Sequence, residues 1–216
     1  IDGRDKEANY GPLSFNRPHT YVASFVYEIP GVTSGPAKFI AGGWQISGNY
    51  RWLHGTPANA AFSIPGIGNI NLTGSGTEGA RIALTGAEID KGWSKDPYNQ
   101  FNVAAFTAPK QGSIGLESPR YTMSNPPTSV LDLSLSKQFR FTEKQRFEIR
   151  LDAFNALNAV NFSGVNRTLN FASLTDSTIT NLPYNSSGKL TNQNGVGTIS
   201  GVRAPRQLQL VCRFYF

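Results

Sequence analysis

The sequence predicts an all-β fold of antiparallel strands, each with one apolar and one polar side, and three observations carry that prediction. First, Pro205–Phe216 places Leu208, Leu210, Cys212, Phe214 and Phe216 on one side of a strand, with Gln207, Gln209, Arg213 and Tyr215 on the other. Second, charged residues make up only 16% and aromatics 12%, beside 22 Gly and 13 Pro, the balance of many strands joined by irregular loops. Third, the connections between periodic stretches run moderate, long, short, long. A strand with lipid on one side and a watered lumen on the other alternates in this way, and a barrel threaded between a turn side and a loop side has such connections. The fold class expected is an antiparallel transmembrane β-barrel segment of five strands with two long extracellular loops.

Taken in order, the chain opens on a polar loop through Arg17 with Gly3, Asn9, Gly11 and Pro12. A strand over about 20–29 follows, with Tyr21, Ala23, Phe25, Tyr27 and Ile29 on one side and Ser24 and Glu28 on the other; Pro30-Gly31 ends it. After a Gly-rich turn at 31–43, a second strand at 44–54 sets Trp44, Ile46, Gly48, Tyr50 and Trp52 against Gln45, Ser47, Asn49 and Arg51. Aromatics at both ends of an apolar side match the two interfacial girdles of a membrane barrel.

The stretch 55–127 has little periodicity and reads as the first long loop, a length out of place inside a compact soluble domain. A third strand at 129–139 alternates Leu131, Leu133 and Leu135 with Asp132, Ser134, Ser136 and Gln138. The turn at 140–144 leads to a fourth strand at 145–155. There Phe147, Ile149, Leu151 and Ala153 oppose Glu148, Arg150 and Asp152, three successive charges that suit a lumen and would be costly in a dry core. The second long loop, 158–203, is rich in Asn, Ser, Thr and Gly, and the last strand is 206–216. With the C-terminus on the periplasmic side, the turns at 31–43 and 140–144 are periplasmic and the loops at 55–127 and 158–203 extracellular. Lipid leaves no partner for an open sheet edge, so five strands require more wall, from a longer polypeptide or from other chains. The missing initiator Met and leader fit a processed chain or a fragment.

Several function classes are disfavoured. No window reaches the run of about eighteen apolar residues that a membrane helix needs. The net charge of +6 comes from scattered Lys and Arg with no run of three, so a nucleic-acid partner is not expected. His19 and His54 lack Cys or carboxylate companions at ligand spacing, and no metal or other cofactor is expected. No Gly-x-Ser-x-Gly elbow is present, and the inward carboxylates Glu28, Asp132, Glu148 and Asp152 follow from alternation alone, so enzyme activity is not expected. Cys212 is a small hydrophobe on the apolar side of its strand. Among the loop aromatics, Trp93, Tyr98, Tyr121 and Tyr184 are candidate ligand contacts, together with Phe62, Phe101, Phe106 and Phe171. The competing expectation is that most of them pack the loops against one another.

A set of short motifs adds a resemblance. They are Asn16-Arg17-Pro18-His19, Gly42-Gly43-Trp44-Gln45-Ile46-Ser47-Gly48, Gly55-Thr56-Pro57, Phe101-Asn102-Val103-Ala104-Ala105-Phe106, Leu131-Asp132-Leu133-Ser134-Leu135-Ser136-Lys137, Phe154-Asn155-Ala156-Leu157-Asn158, Pro205-Arg206-Gln207 and the closing Phe216. In this order they resemble the C-terminal β-barrel portion of the TonB-dependent outer-membrane receptors of Gram-negative bacteria. The likeness is to the branch with an N-terminal carboxypeptidase-regulatory-like domain, which includes Oar-like adhesion proteins. Asn16 stands where that pattern has Asp.

The resemblance implies the last five strands of a barrel of about twenty-two, with a plug inside it. It also implies uptake of a large or scarce nutrient, driven by the TonB complex through N-terminal parts outside this sequence. Partners would be the remainder of the barrel and plug, outer-membrane lipid and the barrel-assembly machinery, which would read Leu208, Leu210, Cys212, Phe214 and Phe216 as a signal. Two rival readings stand beside it: an Oar-like surface adhesion or structural barrel component of a larger assembly, and a secreted carbohydrate-binding β-sandwich.

Overall fold

The computed structural model describes residues 6–32, 34–66, 80–89, 96–110, 113, 115–173 and 175–216. Trp93 lies outside them. The backbone divides into two units of interleaved sequence: a sheet unit of residues 18–54, 127–161 and 203–216, and a loop unit of residues 1–17, 55–126 and 162–202.

The sheet unit is one antiparallel sheet of five strands, numbered here along the chain: β1 Thr20–Ile29, β2 Trp44–Leu53, β3 Thr128–Arg140, β4 Arg146–Phe154 and β5 Gln207–Tyr215. Their order in space is their order in sequence. At one end Thr20 pairs with Leu53, Leu53 with Thr128, and Phe154 with Gln207, so both long connections leave and return there. At the other end lie Ile29 opposite Trp44, Arg140 opposite Arg146, and Tyr215, with the chain terminus beyond it. The turn between β3 and β4 is one residue later than expected, because Arg140 still pairs in the ladder; Phe141 N then donates to Gln145 O at 3.0 Å. Among the described residues no closed barrel is present, and β1 and β5 are the edges of an open sheet.

The alternation reads the same way across every strand. Phe25, Gly48, Leu133, Ala153 and Leu208 form one row of partners, and Tyr27, Ile46, Leu135, Leu151 and Leu210 the next. That side is apolar except at Ser129 and Lys137, and it is open: Phe25 is 45% exposed, Leu208 65% and Leu210 67%. Gly48 makes room in the middle of it, since a Cβ there would lie 2.6 Å from a Phe25 ring atom and 2.8 Å from Leu133 Cδ2. Aromatic side chains gather toward both ends, with Tyr21, Tyr50 and Trp52 near the loop end and Tyr27, Trp44, Phe139, Phe147 and Phe214 near the turn end.

The loop unit has a hydrophobic core of its own. Phe62, Ile64, Ile82, Phe101, Ala105, Phe106, Leu169, Phe171 and Val196 are buried in one cluster. Its strands are short: Ala61–Ser63 runs parallel to Thr168–Asn170, Phe162–Val165 pairs with Ile199–Val202, Pro57–Ala58 with Met123–Ser124, and Ala83–Leu84 with Phe106–Thr107. The segments expected as long loops thus hold paired strands, too short to establish a two-residue period.

Candidate functional site

The side of the sheet opposite the apolar one carries the charges. Ser134 Oγ donates to Asp152 Oδ1, and Arg150 Nε lies 3.1 Å from Asp152 Oδ2. Arg51 Nη2 is 3.7 Å from Asp132 Oδ2, while Asp132 Oδ1 accepts from Asn155 N at 2.9 Å. Near the turn end Tyr215 Oη donates to Glu148 Oε2 at 3.5 Å, and the Arg146 guanidinium stacks 4.2 Å above the Tyr215 ring. On β1 this side is mixed, because Val22 and Val26 share it with Ser24 and Glu28. Carboxylates and guanidinium groups in this density need water or one another, and here Arg51 pairs with Asp132 and Arg150 with Asp152.

The motif Phe154-Asn155-Ala156-Leu157-Asn158 has a physical role that its letters do not disclose. Asn155 and Asn158 sit at φ 49° and 50°, the left-handed region in which Asn is among the best tolerated side chains. The Asn155 side chain donates to Ala159 O and accepts from Ala159 N at 3.0 and 2.9 Å, closing the turn that leaves β4. Asn158 Oδ1 accepts from Arg206 N at 3.0 Å and so fixes the approach to β5. Asn161, 5% exposed, takes both backbone groups of Ser129: Oδ1 accepts from N at 2.7 Å and Nδ2 donates to O at 2.8 Å. Sequence reasoning quoted Asn155 and Asn158 only within a motif and assigned none of these contacts; a side-chain amide copying a β-ladder partner, as Asn161 does, leaves no periodic signal.

In the loop unit the seven aromatic candidates that lie within the described residues separate. Phe62, Phe101, Phe106 and Phe171 are core residues, with Phe101 and Phe106 edge to face at 5.8 Å and the rings of Phe62 and Phe171 tilted at 5.9 Å. Asn102 holds the Phe101–Phe106 motif in shape by accepting from Ala104 N at 3.2 Å and donating to Glu88 O at 2.8 Å. Tyr98 and Tyr184 come together at the surface, rings edge to face at 6.4 Å. Asp96 joins them: Oδ1 accepts from Tyr98 N at 2.9 Å, and Oδ2 accepts from Tyr184 Oη at 2.9 Å. Donation to a carboxylate holds the Tyr184 phenol above its ordinary value, with desolvation and the Asp96 charge adding to the effect. Tyr121 lies apart from this pair, under the guanidinium of Arg120 at 5.8 Å. Arg167 is half-buried and donates to Asn125 Oδ1 at 2.6 Å; its pKa is lowered because burial strips solvent from the charge. No cluster of three metal-ligating side chains occurs among the described residues.

Leu208, Leu210, Cys212 and Phe214 line the apolar side of β5, and Phe216, 96% exposed, follows the strand. A sheet with an open, aromatic-edged apolar side and an ion-paired reverse is the wall of a membrane-spanning β-barrel, where lipid covers the first and water the second. A family model described as "Outer membrane beta barrel domain" matches residues 1–209, and the chain belongs to that family. Its place is the bacterial outer membrane. No curated protein and no solved structure matches it.

Proposed function

We propose that this chain supplies wall strands and outer loops to a TonB-dependent receptor that takes up a large or scarce nutrient. The observation that carries the reading is the cored loop unit, built from the two connections that leave the same end of the sheet. A barrel that only leaks small solutes has no use for such a surface structure, whereas capture before transport does. The Tyr98–Tyr184 pair on Asp96 is the candidate contact within it, and the resemblance of the strand motifs to the receptor barrels supports the same assignment. The remaining strands, the plug and the TonB-contacting segment would come from the rest of the receptor. The apolar positions of β5 with Phe216 would serve the barrel-assembly machinery.

Depletion of single nutrients from the medium, compared among wild type, a strain lacking this protein and a strain lacking TonB, tests the proposal. Loss of the same nutrient's uptake in both strains supports it. A second reading is an Oar-like surface contact protein, for which the cored loop unit would be the contact surface. Unchanged uptake with lost cell contact would select that reading. A secreted β-sandwich fits poorly, since the apolar side of the sheet is open to its surroundings and the family is one of the outer membrane.

A further inference from the structure

Lys137 breaks the pattern of the sheet. It stands on the apolar side, between Trp44 on β2 and Ile149 on β4, yet it is only 4% exposed. Its ammonium lies 5.3 Å from the Trp44 ring and 5.1 Å from the Phe139 ring, and it donates to Gly42 O. Two ring faces and one carbonyl give partial compensation for a desolvated cation, but no carboxylate among the described residues pairs with it.

Beside this lysine, at the turn end of the sheet, is a cleft of about 430 Å³ under the single helical turn Lys38–Ala41. Its lining combines apolar Val32, Phe39 and Phe139 with cationic Lys38 and Arg140, and none of the described lining residues is acidic. Neither Lys38 nor Arg140 is ion-paired among the described residues; Glu28 borders an adjoining cleft with Arg140 and makes no pair with it. The helical turn projects its apolar side chains outward, Phe39 at 51% and Ile40 at 78% exposure, and Trp44 Nε1 anchors it by donating to Ile40 O at 2.8 Å. In an outer-membrane barrel the short turns are periplasmic, so this end meets the headgroups of the inner leaflet.

We propose that this cleft seats one inner-leaflet glycerophospholipid, its headgroup phosphate taken by Lys38 and Arg140 and the upper part of its acyl chains lying on Val32, Phe39 and Phe139. The anion would also offset the uncompensated positive charge that Lys137 adds beside it. The chemistry recognised is an anionic phosphate attached to an apolar tail. Neither half alone matches a cleft with both kinds of lining.

The test uses the intact barrel carrying this chain, delipidated in a neutral detergent, with dihexanoyl phosphatidylglycerol as probe and inorganic phosphate as the headgroup-only control. Calorimetric titration is expected to show saturable lipid binding in the wild type. In the double variant Lys38→Gln/Arg140→Gln it should be about tenfold or more weaker, as expected for lost charged hydrogen bonds. Phe39→Ser should weaken the lipid and leave inorganic phosphate unchanged. Heat-modifiable gel mobility identifies variants that still fold. Equal lipid affinity in wild type and the folded double variant would overturn the proposal, as would inorganic phosphate binding as tightly as the lipid.

Discussion

Phe171→Ala is the perturbation that most directly tests whether the loop unit is a folded structure with its own core. The Phe171 side chain is fully buried, packs on Phe62 with ring centroids 5.9 Å apart, and belongs to the cluster that includes Leu169 and Val196. Its backbone N donates to Ser63 O at 3.0 Å and is untouched by the change. The expected loss is therefore a transfer and cavity effect of about 3–5 kcal/mol, including about 0.5–1.5 kcal/mol from the ring pair. Against a typical stability of about 5–15 kcal/mol, that raises the opened fraction of this unit by about two to four orders of magnitude. Protease added to intact cells reads that fraction when opening is fast relative to cleavage, and the heat-modifiable gel shift of the barrel reports the sheet separately. Faster cleavage between residues 55 and 126 or 162 and 202, with an unchanged gel shift, is the expected result. If the variant is cut no faster than wild type, the buried cluster does not hold these segments and the argument for a cored loop unit fails.

Three further outcomes follow from particular contacts. Gly43 has φ 72°, and an added Cβ would lie 2.6 Å from the Gln138 carbonyl, whereas the Cβ of Gly48→Ala meets only the movable ends of Phe25 and Leu133. Gly43→Ala should therefore lower the urea midpoint of the vesicle-inserted barrel more than Gly48→Ala, with about 1–2 kcal/mol from backbone conformation alone; the reverse order would contradict the turn geometry. The raised Tyr184 phenol should titrate above its ordinary value of 10.0 in tyrosinate absorbance, and Asp96→Asn should bring it down. Because the folded value is the higher one, the stabilisation is complete below the unfolded pKa and is lost as pH rises through the folded one. Asn161→Ala strips Ser129 N and O of side-chain partners in a buried site, and should cost about 1–3 kcal/mol and speed hydrogen exchange at the Ser129 amide.

The strands were legible in the sequence because the contrast between lipid and water acts on every second residue. Leu131-Asp132-Leu133-Ser134-Leu135 shows that contrast without help from any partner, and the observed ladder only adds the register that lines Leu133 up with Gly48 and Ala153. Lys137 continues the same alternation onto the apolar side, where it looks like an error until Trp44 and Phe139 are seen around it. The loop unit was not legible for a different reason. Ala61–Ser63 pairs with Thr168–Asn170 across about half the chain, and three residues cannot display a period. From sequence, Phe62 and Phe171 could either meet a ligand or pack the loops against one another, and they pack on each other. Tyr98 and Tyr184 were candidates for the same reason and do share one carboxylate, a pairing that depends on the fold and has no local signal.

The ionic pattern of the sheet has an energetic meaning that separates its two sides. On the polar side Asp152 has Arg150 and Asp132 has Arg51, but at 32% and 51% exposure those arginines are partly hydrated, and such pairs contribute only about 0–1 kcal/mol. They do not hold the sheet together. What holds it is the backbone ladder, because each unpaired N–H or C=O facing hydrocarbon costs several kcal/mol, whereas the same group facing a lumen can turn to water. The polar side chains are thus free to set the chemistry of the lumen without being needed for the fold. The apolar side chains have the converse role, matching lipid while the ladder they cover supplies the stability. Lys137 is the exception on that side, and its rings, its carbonyl and its position at the turn end are the conditions under which a cation can remain there.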